Sequence, residues 1–133
     1  MKYVYILFVA LLTMYFIGCR KVTGPSEFNN GDLYKTWVHS YEEQNTYDPQ
    51  LFRPIDYKEF EPSRFRMQYT FREDGSCQWM VLDPRDAHYL QSGTFLRTER
   101  TVFIFDSDER LQEDVSFKIT SLEKNLLEAT TIE

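Results

Sequence analysis

The sequence predicts an all-β protein, an antiparallel up-and-down meander whose seven or eight strands close into a barrel after an N-terminal signal helix. Apolar and polar residues alternate along short segments, as they do in half-buried strands. These segments begin near residues 64, 76, 88, 101, 113 and 125, with short polar turns between them. No connection has room for a crossover helix, so neighbouring strands must run antiparallel. A sheet of this size with one apolar face buries that face and removes its edges by closing. The alternative is a flatter sheet that curls around residues 44–62.

The first nineteen residues predict an export signal. Lys2 supplies a positive charge, and residues 3–17 form an apolar run that only Thr13 interrupts. A run of this length suits a signal peptide and is shorter than the roughly 20 residues of a membrane-spanning helix. The run ends in Gly18-Cys19, which resembles the lipobox of bacterial lipoproteins, where a diacylglycerol is transferred to the cysteine thiol before cleavage. The alternative is an uncleaved anchor that stops at Arg20-Lys21.

Cleavage before Cys19 would divide the chain into three parts. These are a signal peptide at 1–18, a lipidated cysteine with a flexible spacer at 19–32, and a barrel domain at 33–133. The spacer is predicted from its Gly, Pro, Ser and Asn residues. The net charge of −6 argues against a nucleic-acid partner. With Cys19 committed to lipid, Cys77 has no partner, and we expect no intramolecular disulfide.

Two segments near the start of the domain have different patterns. Period-two alternation predicts a first strand over residues 33–42, with Trp37, His39 and Tyr41 on one face. Residues 44–62 contain three prolines and several aromatic residues, which predict a long loop that packs as a lid or a plug. Further strands are predicted at 64–72, 77–82, 88–97, 101–106, 113–121 and 125–132.

Four short motifs resemble those of lipocalin-like domains. Leu33-Tyr34-Lys35-Thr36-Trp37 resembles their opening strand, and Tyr69 to Ser76 resembles their aromatic strand leading into an Asp-Gly hairpin. Gly93-Thr94-Phe95 is similar to a mid-barrel motif, and residues 119–127 resemble the closing hairpin. The resemblance covers about residues 33–132. It implies a lipocalin-like barrel in a lipidated, single-domain envelope protein of the Bacteroidota type.

Six residues are candidates for ligand binding, and two interpretations of them stay open. The inward-facing aromatic residues either line a cavity for a small apolar ligand or fill the barrel interior, since an eight-stranded barrel is just wide enough for side chains or one small ligand. His39 shares the Trp37 face and is placed in the interior or at the rim. The candidates are Trp37, His39, Tyr41, Tyr69, Phe71 and Trp79.

No motif in the sequence predicts a metal site, a cofactor site or a catalytic site. His39 and His88 are the only histidines, and no set of Cys or His residues has metal-ligand spacing. The acidic residues between 106 and 114 lack the spacing of a calcium loop and are interpreted as a solvated turn. Buried beside Trp79, Cys77 is interpreted as a small apolar residue rather than a nucleophile.

The expected function is therefore non-enzymatic. We expect a lipid-anchored envelope lipoprotein, on the outer membrane and facing the periplasm, that binds a small apolar ligand or an envelope protein. The outer membrane is favoured because Arg20-Lys21 lacks the Asp associated with inner-membrane retention. One alternative is a structural or interaction subunit with a solid barrel core, and another is an enzyme whose site is not visible in the sequence.

Overall fold

Eight antiparallel strands close into a barrel, which confirms the predicted fold class. The structure is a computed structural model that describes residues 28–83, 85, 87–106 and 115–132. A short helix and a 3-10 helix accompany the strands. The elements are α1 (Asn30–Leu33), β1 (Thr36–His39), the 3-10 helix (Tyr41–Glu43), β2 (Gln50–Pro54), β3 (Gln68–Phe71), β4 (Ser76–Leu82), β5 (His88–Thr98), β6 (Thr101–Asp106), β7 (Val115–Glu123) and β8 (Leu126–Thr131).

The order of strands around the barrel is β1-β2-β8-β7-β6-β5-β4-β3. From β3 to β8 each strand pairs with the next one in the chain, as a meander requires. The beginning differs from the predicted meander because β1 lies between β2 and β3. Trp37 pairs with Pro54 on one side and with Tyr69 on the other. Residues 55–67 therefore cross β1 to connect β2 with β3.

The prediction that residues 44–62 form only a loop was wrong, because β2 lies within them. Its prolines do not prevent a strand, since Pro49 precedes β2 and Pro54 is its last residue. Proline is tolerated at strand ends, where its missing N–H removes little from the ladder. Phe52 faces the core and is 1% exposed. This strand completes the closure by pairing with β8.

The first strand is shorter than predicted, and Tyr41 does not share the Trp37 face. After His39 the chain enters the 3-10 helix, whose N-cap residue is the fully buried Ser40. The Ser40 hydroxyl donates a hydrogen bond to Glu43 at 2.7 Å, and the Glu43 amide donates to the Ser40 carbonyl. These local bonds compete with strand extension. Similarly, the strand predicted at 64–72 is confined to β3, opposite the four-residue β1.

The folded unit begins before the predicted start at residue 33. Helix α1 falls within the predicted spacer and is capped by Asn29, whose side chain accepts a hydrogen bond from the Gly31 amide. Leu33, at the end of α1, is fully buried in the barrel core and closes this end of the barrel. The predicted signal helix and lipidated Cys19 lie outside the described residues. Among the described residues, no helix is long and apolar enough to cross a membrane.

The barrel interior contains one continuous hydrophobic core. Several rings are in mutual contact, including Phe71 with Phe95 at 4.9 Å and Tyr69 with Phe117 at 5.4 Å between centroids. Such aromatic pairs stabilise a core beyond the area that they bury. The buried residues of this core are Leu33, Trp37, Phe52, Tyr69, Phe71, Cys77, Trp79, Val102, Ile104, Phe117, Ile119, Leu122, Leu127 and Ala129.

Candidate functional site

The two ends of the barrel differ in how far their inward-facing side chains are buried. At the end that α1 covers, which we call the closed end, Leu33 and Trp37 are fully buried. At the other end, where β1, β4, β6 and β8 finish, inward-facing residues are partly exposed. Tyr89 is 40% exposed although it pairs with Val81 on the inner face. We call this second end the open end, a name that refers only to the exposure of the residues that the structure describes there.

The floor of the open end is formed by Tyr69 and Trp79. They pair directly across β3 and β4 and are 7% and 5% exposed. Burial raises the pKa of the Tyr69 hydroxyl to about 12, so it stays protonated at physiological pH. Gly93 lies beneath the Trp79 ring, where an added Cβ would meet the Trp79 ring at 3.0 Å and the Phe105 carbonyl oxygen more closely still. The strand therefore needs a glycine for the Trp79 indole to occupy this position.

A polar pair lies above this floor. The Gln91 side-chain amide donates a hydrogen bond to the Asp106 carboxylate at 2.6 Å, and both residues are half-buried. The strand register places them there, because Gln91 pairs with Trp79 and Asp106 pairs with Gly93. Both side chains therefore share the inner face with Trp79. This pair gives the open end hydrogen-bonding groups beside an aromatic floor.

His39 forms the rim on the opposite side. Its ring lies 5.3 Å from the Phe52 ring, and its Nε2 is 2.7 Å from the Gln44 side-chain oxygen. That oxygen also accepts a hydrogen bond from the Leu51 amide, while the Gln44 nitrogen donates to the Thr46 carbonyl. With the Gln44 amide oriented in this way, its oxygen is placed to accept a hydrogen bond from His39 Nε2. His39 is thus oriented by Gln44 at the edge of the core.

Arg66 fixes the segment that crosses β1 beside this rim. Its guanidinium donates to the His39 carbonyl at 2.7 Å and forms an ion pair with Glu42. It also stacks on the Tyr41 ring, with 4.3 Å from Arg66 Cζ to the ring centroid. The hydrogen bond from Arg66 lowers the pKa of the Glu42 carboxyl. One side chain therefore connects the 3-10 helix, the end of β1 and residues 55–67.

The predicted site residues separate into three places. Trp37 and Phe71 belong to the closed half of the core, and Tyr69 and Trp79 form the open-end floor, so these four lie in one cluster. His39 lies at the rim and contacts the core through Phe52. The prediction that Tyr41 shares this inner face was wrong, since it lies in the 3-10 helix, 42% exposed.

Sequence reasoning missed Gln91 and Asp106. The signal was present in the alternation of residues 89–95, which places Gln91 on the same face as Gly93 and Phe95. Asp106 was instead grouped with the acidic residues that follow it, and residues 107–114 of that group lie outside the described residues. Only the pairing of β5 with β6 brings the two side chains together.

The open end offers groups for noncovalent binding. Within the described part of the chain, no three His, Cys, Asp or Glu residues are placed to hold a metal ion. Burial raises the pKa of the Cys77 thiol to about 11, which disfavours the reactive thiolate. An aromatic floor with a few polar groups on the wall is the usual composition of a small-molecule site.

Comparisons with known proteins found no match to this chain. The chain matched no protein-family description, no curated protein and no solved structure.

Proposed function

We propose that this protein is a lipid-anchored, non-enzymatic lipoprotein of the cell envelope that binds a small, largely apolar ligand at the open end of its barrel. The observation that supports this most is the change from buried to partly exposed inner residues towards that end, where Gln91 and Asp106 lie above Trp79. A ligand here would place its apolar body on the Trp79 and Tyr69 rings. A polar group of the ligand would hydrogen bond to the Gln91–Asp106 pair.

The tether is supported by the sequence of the signal. Gly18-Cys19 follows an apolar run of signal-peptide length, and the acyl chains on such a cysteine anchor a protein strongly, at about 0.8 kcal/mol per buried methylene. We propose a location on the outer membrane, facing the periplasm, because Arg20-Lys21 lacks the Asp that is associated with inner-membrane retention. The relationship to lipocalin-like lipoproteins of the Bacteroidota belongs to the same proposal.

A second candidate function is an interaction subunit with a solid core. It is favoured by the ring contacts of Tyr69 with Phe71, Phe52 and Phe117, which fill the middle of the barrel. A ligand is therefore confined to the layer above Tyr69. Ligand binding requires a bound molecule in that layer, whereas an interaction subunit requires no bound molecule there.

Native mass spectrometry of the full chain, extracted from membranes in mild detergent, separates the two functions. The ligand proposal predicts an additional small mass on the wild-type protein. Tyr89→Ala, which changes an inner residue of the open end, should reduce this occupancy several-fold. Tyr47→Ala is the matched control, because Tyr47 is 98% exposed. Wild-type protein without any bound mass, together with captured partner chains, would favour the interaction subunit.

A further inference from the structure

The outward-facing positions of β4, β5 and β6 hold no charged residue, and the charged group seen to bond to them is the Arg72 guanidinium, which follows β3 and donates to Ser76 and Gln78 at the edge of this wall. The alternation of burial along these strands identifies the outward-facing positions. They are occupied by Ser, Thr, Gln, one His and six large apolar residues, although 27% of the chain is charged. We call this wall the uncharged face. Its large apolar residues are Met80, Leu82, Leu90, Leu96, Phe103 and Phe105.

These apolar residues form two groups on the face, with Ser92 and Thr94 between them on β5. Leu96 pairs with Phe103 across β5 and β6, and Leu90 pairs with Met80 across β4 and β5. Leu96 is 55% exposed and Leu90 is 46% exposed. Apolar side chains on adjacent strands, exposed together, indicate a surface that contacts something.

The outer walls of β2, β7 and β8 do not share this composition. Lys118 faces outward on β7, Glu128 on β8, and Arg53 on β2, where it forms an ion pair with Glu43 at 3.1 Å. Removing any of these groups from water would be costly. The part of the uncharged face away from Arg72, which carries Leu90, Leu96, Phe103 and Phe105, can therefore leave water without desolvating a charged residue of its own strands.

The chain enters the domain at one end of this face. Phe28, the first described residue, has its ring under the guanidinium groups of Arg97 and Arg100, at 5.7 and 4.8 Å. Arg97 lies near the end of β5, and Arg100 lies in the turn between β5 and β6. Cys19 precedes Phe28 by nine positions, which span at most about 30 Å when extended. A lipid at Cys19 would therefore hold the bilayer close to the uncharged face.

We propose that the uncharged face lies on the surface of the lipid bilayer in the anchored protein, with Leu90, Leu96, Phe103 and Phe105 in the interfacial region. This inference rests on the proposed lipid anchor. Tethering gives the bilayer a high effective concentration at this wall, so weak individual contacts suffice. Lipids also conform to a convex wall, whereas two convex barrels touch along a narrow strip. The barrel axis then runs along the membrane, and the open end stays in water beside the headgroups.

Site-specific labelling of the full chain tests this orientation. Leu90→Cys and Leu96→Cys place a thiol at either end of the uncharged face, roughly 20 Å apart along β5. Leu51→Cys is the matched control, because Leu51 faces outward on β2, on the opposite wall. Cys77 does not compete for the label, since it is 1% exposed. Each variant is labelled with a polarity-sensitive fluorophore and reconstituted into neutral phosphatidylcholine vesicles that contain a spin-labelled quencher lipid.

The orientation predicts that the labels at 90 and 96 are quenched at least about threefold more strongly than the label at 51, because interfacial side chains reach about 5–10 Å into the bilayer boundary. Quenching at 96 alone would mean that the barrel stands on its closed end and would overturn the proposal. Oxidative cross-linking of Leu96→Cys to a second copy would overturn it in favour of self-association.

Acylation of Cys19 is measured separately in the same samples, by mass spectrometry of the peptide that contains Cys19. If Cys19 is acylated and the labels at 90, 96 and 51 are quenched equally weakly, the proposed orientation is wrong, whereas the proposed lipid anchor is supported. Unmodified Cys19 with protein that does not associate with vesicles would overturn both proposals.

Discussion

The indole nitrogen of Trp37 donates a hydrogen bond to the carbonyl oxygen of Leu33 at 2.9 Å, and both residues are fully buried. This bond joins β1 to the helix that closes the barrel. Lys35 covers the same region, with its ammonium group 5.2 Å from the Trp37 ring and bonded to the Lys124 carbonyl at 2.6 Å. The closed end is therefore held by α1, β1 and the turn between β7 and β8.

Replacing Trp37 should destabilise the fold strongly. Trp37→Ala removes a fully buried indole and one of the two hydrogen bonds to the Leu33 carbonyl, which still accepts from the Lys35 amide, so we expect a loss of about 3–5 kcal/mol in the free energy of unfolding. Urea denaturation followed by circular dichroism measures it. Tyr47→Ala, at an exposed position, should change this free energy by less than about 0.5 kcal/mol. A loss below about 1 kcal/mol for Trp37→Ala would contradict its place in the core.

Two glycines should respond differently to alanine. Gly93→Ala forces a methyl group against the Phe105 backbone and the Trp79 ring, so we expect a loss of about 3 kcal/mol or more. Gly75→Ala meets open space but keeps a φ of +84°, so we expect about 1–2 kcal/mol. The difference between the two midpoints in thermal unfolding is the measurement. Equal midpoints would contradict the close approach of the Phe105 backbone and the Trp79 ring to Gly93.

Glu43 should make stability depend on acid pH. Hydrogen bonds from the buried Ser40 and from Arg53 lower the pKa of its carboxyl from 4.5 to about 2. Because the folded pKa is below the unfolded one, this stabilisation is complete above about pH 4.5 and is lost as the pH falls towards 2. Glu43→Gln should therefore flatten the decline of the unfolding free energy between those values. The exposed Glu59→Gln serves as the control, and an unchanged slope in Glu43→Gln would contradict the assignment.

Arg66 should control the mobility of the segment that crosses β1. Arg66→Lys retains the positive charge. It loses the planar guanidinium, which donates hydrogen bonds to both the Glu42 carboxylate and the His39 carbonyl. We expect amide exchange in residues 55–67 and 41–44 to increase at least about tenfold, with the exchange of β5 unchanged. Hydrogen-exchange mass spectrometry resolves these peptides. Uniformly faster exchange would instead indicate global destabilisation.

The strands from β4 to β8 could be predicted from the sequence because their residues alternate and their turns are short. The position of β1 could not, since the pairing of Trp37 with both Pro54 and Tyr69 depends on residues far apart in the chain. Nor could β2 be recognised, because prolines at its ends resemble those of a loop.

The candidate site was predictable to a similar degree. Alternation alone places Tyr69 and Trp79 on inner faces, and the structure pairs them. Tyr41 follows the same alternation, yet the hydrogen bond between Ser40 and Glu43 ends the strand before it. The contact of Gln91 with Asp106 follows from register, which local composition does not determine.

The proposed membrane anchor and the proposed orientation on the bilayer both depend on lipid at Cys19, and metabolic labelling with a clickable palmitate analogue tests it most directly. The full chain is expressed in its wild-type form and as Cys19→Ser, and each membrane fraction is examined for label and for protein. A lipid anchor predicts labelled, membrane-bound wild-type protein, with label and membrane retention both lost in Cys19→Ser. Retention of unlabelled Cys19→Ser in the membrane at wild-type levels would contradict the anchor.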